Sequence, residues 1–223
     1  HFKYWHDFAS KSLYGIENSE RLARVAKMNM IIHDMEGEIA LGDTFNEPKF
    51  HSNGVLKQFD IIAANPMWNQ KDFAEENYDS DEFDRFPKSA GFPGKKSADW
   101  GWMQHILASL KENGRACVVL DTGAVSRGSG KSNKDKEHAI RKYFIENDFI
   151  ECVILLPENL FYNTPNAGII IVLNRLKRKS EQVMMIDVSE EYIRGRAKNT
   201  FTKKGEDLVG YYEQEYHPGS NEV

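Results

Sequence analysis

Apolar positions along the chain switch between a period near two and a period near 3.6. "SLYGIE" (12–17) predicts a short strand. In "SERLARVAKMNMIIHDM" the residues Leu22, Val25, Met28 and Ile32 recur at helical spacing, which predicts a helix with that stripe buried and Asn18 as its N-cap. "EIALGDTF" is a second strand running into a polar loop at Asp43, and "QFDIIAAN" a third, reached through a short loop holding Asn53-Gly54. Residues 69–97 are polar, then acidic, then rich in Gly, Pro and Lys. A stretch of that length in a compact domain is functional or disordered.

Asp99 is the expected cap of a helix with Met103, Ile106, Leu107 and Leu110 on one face, ended by Asn113-Gly114. "RACVVLD" is a strand, and "KEHAIRKYFIEND" a helix turning Ile140, Tyr143 and Phe144 inward. "FIECVILLP" and "GIIIVLNR" are strands whose connection, "ENLFYNTPNA", has no room for a helix, so they should pair antiparallel. Strands alternating with helices imply an α/β fold with a mainly parallel sheet covered on both faces. Residues 1–175 form the main domain in this reading; residues 176–223 are a polar extension whose one apolar run, "VMMIDV", could add an edge strand.

In such sheets ligands bind beyond the carboxyl ends of the strands. Glu17, Asp43 and Asn65-Pro66 all fall at such ends. A strand-end Glu can accept two hydrogen bonds from ribose hydroxyls, or can simply be a surface acid. Asp43 could accept from an adenine amine, or close a turn before Thr44.

Composition narrows the picture. The chain has 223 residues, 40% of them hydrophobic, enough for a core, and no apolar run approaches the length of a membrane span. The start, "HFKYWHDF", lacks the layout of a signal peptide. Cys117 and Cys152 lie in apolar runs and read as reduced core thiols of a cytoplasmic protein. The seven histidines form no metal-ligand spacing, so no metal site is expected. Net charge is -5, which does not suit a stand-alone nucleic-acid binder, yet "RGSGKSNKDKEHAIRK", "NRLKRK" and "IRGRAKNTFTKK" are locally basic. "RGSGKS" looks like a phosphate loop, but Val125 stands where that pattern needs its first glycine.

The segment Asn65-Pro66-Met67-Trp68 resembles the Asn-Pro-Pro-aromatic motif of the N6-adenine DNA methyltransferases. With "LYGIENSERLARVAKMNMIIHD", "GDTF", "SADWGWMQHILASLKENGRACVVL" and "IRKYFIENDFIECVILLPENLFYNTPNAGIIIVLN" in order, residues 12–174 resemble the modification subunit of type I restriction-modification systems. The resemblance implies a Rossmann-like S-adenosylmethionine-dependent methyltransferase fold ending in an antiparallel hairpin. It implies a site-specific adenine N6-methyltransferase acting on a flipped-out base in double-stranded DNA. Partners would be a specificity subunit, a restriction subunit and a second modification subunit, with no membrane association.

By the same resemblance, the Asn65 side-chain oxygen and the Pro66 carbonyl accept from the two hydrogens of the adenine amine. Trp68 stacks on the extruded base, and Phe161 or Tyr162 forms the pocket's other wall. Glu17 and Asp43 bind the cofactor ribose and adenine, with Asn65 beside them, and Asp99 (or its neighbour Trp100) lines the cofactor pocket. Trp68 could instead be a core aromatic.

Two departures stand out. The family's first strand and Gly-rich loop are missing between His1 and Ser12, so residues 1–223 alone are expected to bind S-adenosylmethionine weakly or not at all. Met67 replaces the usual second proline, which costs stiffness but keeps both acceptors. Rival readings are a degenerate, non-catalytic module for assembly or DNA contact, and a protein-glutamine methyltransferase.

Overall fold

A computed structural model describes residues 12–71, 78, 81–94, 96–128, 136–177 and 179–216, with the side chains of 211–216 excepted. The chain divides into two compact units, residues 1–57 and 58–223.

In the first unit, β1 (Leu13–Glu17) and β2 (Gly37–Leu41) pair in parallel, with Glu17 opposite Leu41. Between them runs α1 (Glu20–Ile32). Its N-cap is Ser19, not Asn18: the Ser19 hydroxyl accepts from the Leu22 amide at 3.4 Å. The short hydroxyl meets the first-turn amides from one residue nearer the helix.

The stripe expected to be buried is not. Leu22, Val25, Met28 and Ile32 are exposed, and only Ala23 is buried. A two-stranded sheet is too narrow to cover a helix of this length. A small hairpin completes the unit: β3 (His51–Ser52) and β4 (Val55–Leu56) are joined by Asn53 and Gly54, both at positive φ (52° and 73°), as a type I′ turn requires.

The second unit is built on five strands. β5 (Phe59–Ala64) runs parallel to β6 (Leu110–Asp121). β7 (Ile150–Leu155) and β8 (Gly168–Asn174) pair antiparallel, and β8 inserts between β6 and β7. β9 (Met184–Asp187), drawn from the "VMMIDV" run, pairs parallel with β7 and makes the edge. Four strands therefore point one way and only β8 is reversed. Among the described residues, β1 is bonded only to β2 and β5 only to β6.

One sheet face is closed by α2 (Asp99–Ala108) and, after the short α3 (Gly123–Ser126), by α4 (Lys136–Glu146). Trp100, Met103, Ile106, Val118, Leu120, Ile140, Phe144 and Ile171 form this core. The Trp100 indole donates to the Ala124 carbonyl at 2.8 Å, so its one polar atom is satisfied inside. The opposite face is covered only toward β7–β9. There Cys152, Ile154, Val172 and Val188 pack against Leu208 and Val209 of α5 (Lys203–Tyr216), which follows a small pair, β10 (Tyr192–Ile193) and β11 (Thr200–Phe201).

At β5 and β6 that second face is bare: Ile61 is 79% exposed, and Cys117 is exposed rather than in the core, whereas Cys152 is fully buried. The expectation of a sheet covered on both faces thus holds only in part: among the described residues of the second unit, α5 is the one helix on that side, at its far edge.

Two helix boundaries also shift. The N-cap of α2 is Ala98, and Asp99 is the first helical residue, its carboxylate engaged elsewhere. The helix ends at Ala108, so Asn113-Gly114 falls inside β6. Gly114 sits against the Phe59 carbonyl, where a Cβ would come within 2.8 Å, and the β5–β6 register shifts there. The glycine marks a close backbone approach within a strand.

Of the long polar stretch after Trp68, residues 78 and 81–94 include an ordered knot. Arg85 is buried, its Nε donating to Asp81 at 2.9 Å, and Tyr78, Phe86 and Phe92 pack ring against ring around it.

Candidate functional site

β5 ends at Ala64, so Asn65, Pro66, Met67 and Trp68 leave the sheet at its carboxyl edge, as the sequence pattern implies. Asn65 and Met67 are exposed, and Pro66 and Trp68 half-buried. Trp68 is not a core aromatic. Its indole N–H is shared between the Asn65 side-chain oxygen at 3.1 Å and the Val119 carbonyl on β6 at 3.2 Å. This pins the ring over the ends of β5 and β6. A carboxamide oxygen has two lone pairs, so Asn65 Oδ1 keeps one for an incoming donor.

The ring of Phe161 meets Trp68 edge to face, centroids 4.9 Å apart. Gly168, the first residue of β8, allows this: a Cβ there would lie 2.8 Å from the Phe161 ring and 3.3 Å from Trp68. Of the two candidates for the second aromatic wall, Phe161 therefore stands beside Trp68. Tyr162 points away, 85% exposed, with Lys198 Nζ 3.4 Å from its ring centroid.

Behind Trp68 lies a charged cluster that only part of the sequence pattern suggests. Asn69 adopts a left-handed backbone, φ 53°, uncommon outside glycine. It is held there by three partners. Its amide N–H donates to Asp99 Oδ1 at 2.8 Å, its side-chain amide donates to Asp121, and its side-chain oxygen accepts from Arg127 at 2.8 Å. Asp99 is fully buried and also binds the Arg127 guanidinium, which reaches Glu137 at 2.9 Å, Asp121 at 3.3 Å and Ser97 Oγ at 3.1 Å. Burial alone would lower the Arg127 pKa, but Glu137 and Asp99 outweigh it and push the value up, so the cation persists.

Both oxygens of the Asp99 carboxylate are thus engaged, one by Asn69 and the other by Arg127. Asn69, Asp121 and Arg127 went unassigned in the sequence. Arg127 opens the "RGSGKS" stretch, whose residues 129–132 lie outside the described residues, and Asp121 ends "RACVVLD" as the other acids end their strands. That shared position was the one signal available.

In the first unit, Glu17 and Asp43 follow neighbouring parallel strands at the same end. Glu17 Oε1 accepts from the Ser19 amide at 2.7 Å. Asp43 Oδ1 accepts from the amides of Phe45 at 2.8 Å and Asn46 at 3.1 Å, so it does close a turn. Ionised carboxylates offer about four acceptor sites each, and both residues retain capacity for hydroxyl or amine donors.

A five-stranded sheet with its reversed strand inserted beside the last parallel one, and an Asn-Pro-x-Trp turn at its carboxyl edge, defines a Rossmann-like fold of the methyltransferase class. The family model described as N-6 DNA Methylase matches residues 3–217, and the chain belongs to that family.

The chain is 39% identical to the type I restriction enzyme MjaVIII methylase subunit of Methanocaldococcus jannaschii, over 82% of this chain and 32% of that protein. It is 33% identical to the HindI methylase subunit of Haemophilus influenzae, over 86% of this chain and 41% of that protein. It spans 32% to 41% of the length of these relatives. Among solved structures it is similar to the methyltransferase subunit of a type I restriction-modification system from Streptococcus thermophilus, with TM-score 0.79 and 28% identity, over 90% of this chain and 42% of that one. The fold is also that of the EcoKI M protein, at TM-score 0.66 and 21% identity. Among the described residues no helix is long and apolar enough to cross a membrane.

Proposed function

We propose that this chain is the catalytic part of a site-specific DNA adenine N6-methyltransferase, the modification subunit of a type I restriction-modification system. The observation that carries the proposal is the strand-end turn itself. Asn65 Oδ1 and the Pro66 carbonyl leave the sheet together, and Trp68 and Phe161 make an aromatic pair beside them.

The lone pair of an adenine amine is delocalised into the ring. Two acceptors on its two hydrogens draw the nitrogen toward tetrahedral geometry and localise the pair. Asn65 and Pro66 would be those acceptors, fixed before the base arrives because Asn65 is tied to Trp68 and Trp68 to β6. Trp68 would hold the extruded base by stacking, worth ~1–3 kcal/mol.

Glu17 and Asp43 have acceptors for ribose hydroxyls and an adenine amine, and would hold S-adenosylmethionine. When bound, that molecule supplies a methyl group already activated on a sulfonium, which leaves orientation as the protein's main task. Residues 1–175 would carry this chemistry and residues 176–223 a supporting role, although β9 completes the sheet. DNA, a specificity subunit, a restriction subunit and a second modification subunit are the partners this reading assigns, in the cytoplasm.

The test is methyl transfer from labelled S-adenosylmethionine to duplex DNA by the intact gene product with its specificity subunit. N6-methyladenine should form, and Asn65→Ala should reduce it by at least a hundredfold. No product, or product unaffected by Asn65→Ala, overturns the proposal. DNA or partner binding without transfer would favour the non-catalytic module.

A further inference from the structure

The segment Arg194-Gly195-Arg196-Ala197-Lys198 carries three cations in five residues and no acid. It is the tip of the hairpin formed by β10 and β11, which pair Tyr192 with Phe201 and Ile193 with Thr200. We propose that this tip grips the DNA backbone next to the extruded nucleotide, with Arg194, Arg196 and Lys198 as the phosphate contacts. The proposal rests on the DNA methyltransferase reading above.

The first support is position. Trp68 touches Phe161, the chain continues into Tyr162, and Lys198 Nζ lies over the Tyr162 ring. The cationic tip therefore begins one residue beyond the aromatic pair. A base drawn out of a duplex to stack there carries its own flanking phosphates, and a base-flipping site needs something to hold them.

The second support is rigidity. Buried Asn199 ties the tip to the Glu158–Asn159 turn: its amide N–H donates to the Asn159 carbonyl at 2.8 Å, and its side chain to the Glu158 carbonyl at 2.9 Å. Gly195 lies so close to the Lys198 carbonyl that a Cβ would collide with it. A tip held on both sides gives up less conformational freedom on binding than a free loop.

The third is availability. Arg194 and Arg196 are exposed, and among the described residues neither has an ion-pair or hydrogen-bond partner. The nearest acid in sequence, Glu191, is taken by Thr202 at 3.1 Å and by Lys204. On a chain of net charge -5 the tip is one of the few locally basic stretches, and Lys198 joins it to the aromatic pair through Tyr162.

The experiment is the salt dependence of binding of a fluorescein-labelled DNA duplex by the full chain. It compares wild type, the tip variant Arg194→Gln/Arg196→Gln, and the charge-matched variant Arg21→Gln/Lys27→Gln on α1. Each phosphate contact contributes about 0.9 to the slope of log K against log salt. The tip variant should lose about 2 from that slope and bind on the order of tenfold or more weakly at physiological salt, with its thermal melt unchanged. Lys198→Gln should remove about one more.

A slope unchanged in the tip variant overturns the proposal. So does an equal loss in the charge-matched variant, or a wild type with no salt-dependent binding. Methyl transfer is measured alongside. An active enzyme with an unchanged tip slope refutes the phosphate contact alone, whereas absence of transfer counts against the methyltransferase reading and leaves the slopes to judge the tip.

Discussion

The Asn69 backbone amide donates to Asp99 Oδ1 at 2.8 Å, and Asp99 is completely buried. This bond joins the residue after the Asn-Pro-Met-Trp turn to the first residue of α2. Asn69 needs it, because its left-handed backbone costs roughly 1 kcal/mol in a non-glycine residue. Asp99→Ala removes the acceptor and leaves Arg127 short of one carboxylate. Stability should fall by about 3 kcal/mol, read by urea denaturation. Asp99→Asn, which keeps an acceptor oxygen but not the charge, should fall by less. Equal loss in both would mean that the charge, not the hydrogen bond, is what matters.

Trp68 ties Asn65 to β6 and, in the proposed function, stacks on the base; one substitution separates the two. Trp68→Phe keeps a ring face but removes the N–H that links Asn65 to Val119. The stability cost should be about 1 kcal/mol, and methyl transfer should slow while binding of DNA with an abasic or mismatched target changes little. Trp68→Ala should also lose the stacking term, ~1–3 kcal/mol. The fluorescence of 2-aminopurine at the target position reports it.

Met67 is 68% exposed, so its side chain contributes little packing that a replacement would lose. Met67→Pro should hold residue 66 in extended geometry and narrow the range of its carbonyl. Turnover in the intact enzyme should be equal or faster. Turnover slowed tenfold would show that flexibility at 67 is required.

His105 gives the fold a pH dependence unrelated to the site. Its Nδ1 is fully buried although the residue keeps some surface, and burial, helped by Arg85, lowers its pKa to about 3, with Asp81 opposing. Unfolded, the ring takes a proton near pH 6.5; folded, it does so only near pH 3. The unfolded state therefore binds more protons between those values, and stability is full above pH 6.5 and falls as the pH drops through the window, by up to about 1.4 kcal/mol per pH unit. Urea melts from pH 7 to 4.5 should show the decline, and His105→Gln should flatten it. An equally steep decline in His105→Gln would assign the effect to carboxylates.

The two thiols should differ in reactivity. Cys117 is exposed, and Cys152 is buried with its pKa pushed up to about 12, first by burial and then by Glu151 and Cys117. In the native protein a thiol reagent should label one cysteine, at a rate that rises with pH. In denaturant it should label both. Mass spectrometry of the labelled peptides decides whether the first is Cys117.

The sequence by itself determined the elements and the chemistry of the turn. Strand and helix periods depend on local backbone geometry, so β1, α1, β5, α4 and the antiparallel pair β7–β8 could be read from spacing and connection length. The Asn-Pro-x-Trp string was legible because the chemistry proposed for it needs those atoms consecutively at one strand end. Cap positions were less so: Ser19 rather than Asn18, and Ala98 rather than Asp99, differ by one residue, and either choice fits the local pattern.

Tertiary structure alone decided the rest. Whether the stripe of α1 is covered, and whether Cys117 faces solvent, depends on what packs against a face, which periodicity does not encode. Arg127 gathers Asp99, Asp121 and Glu137 from three different elements, α2, β6 and α4. Lys198 meets Tyr162 across two loops that Asn199 fastens together. Long-range electrostatic partners leave no periodic trace, since a charge on the surface and a charge in a buried cluster are written with the same letter.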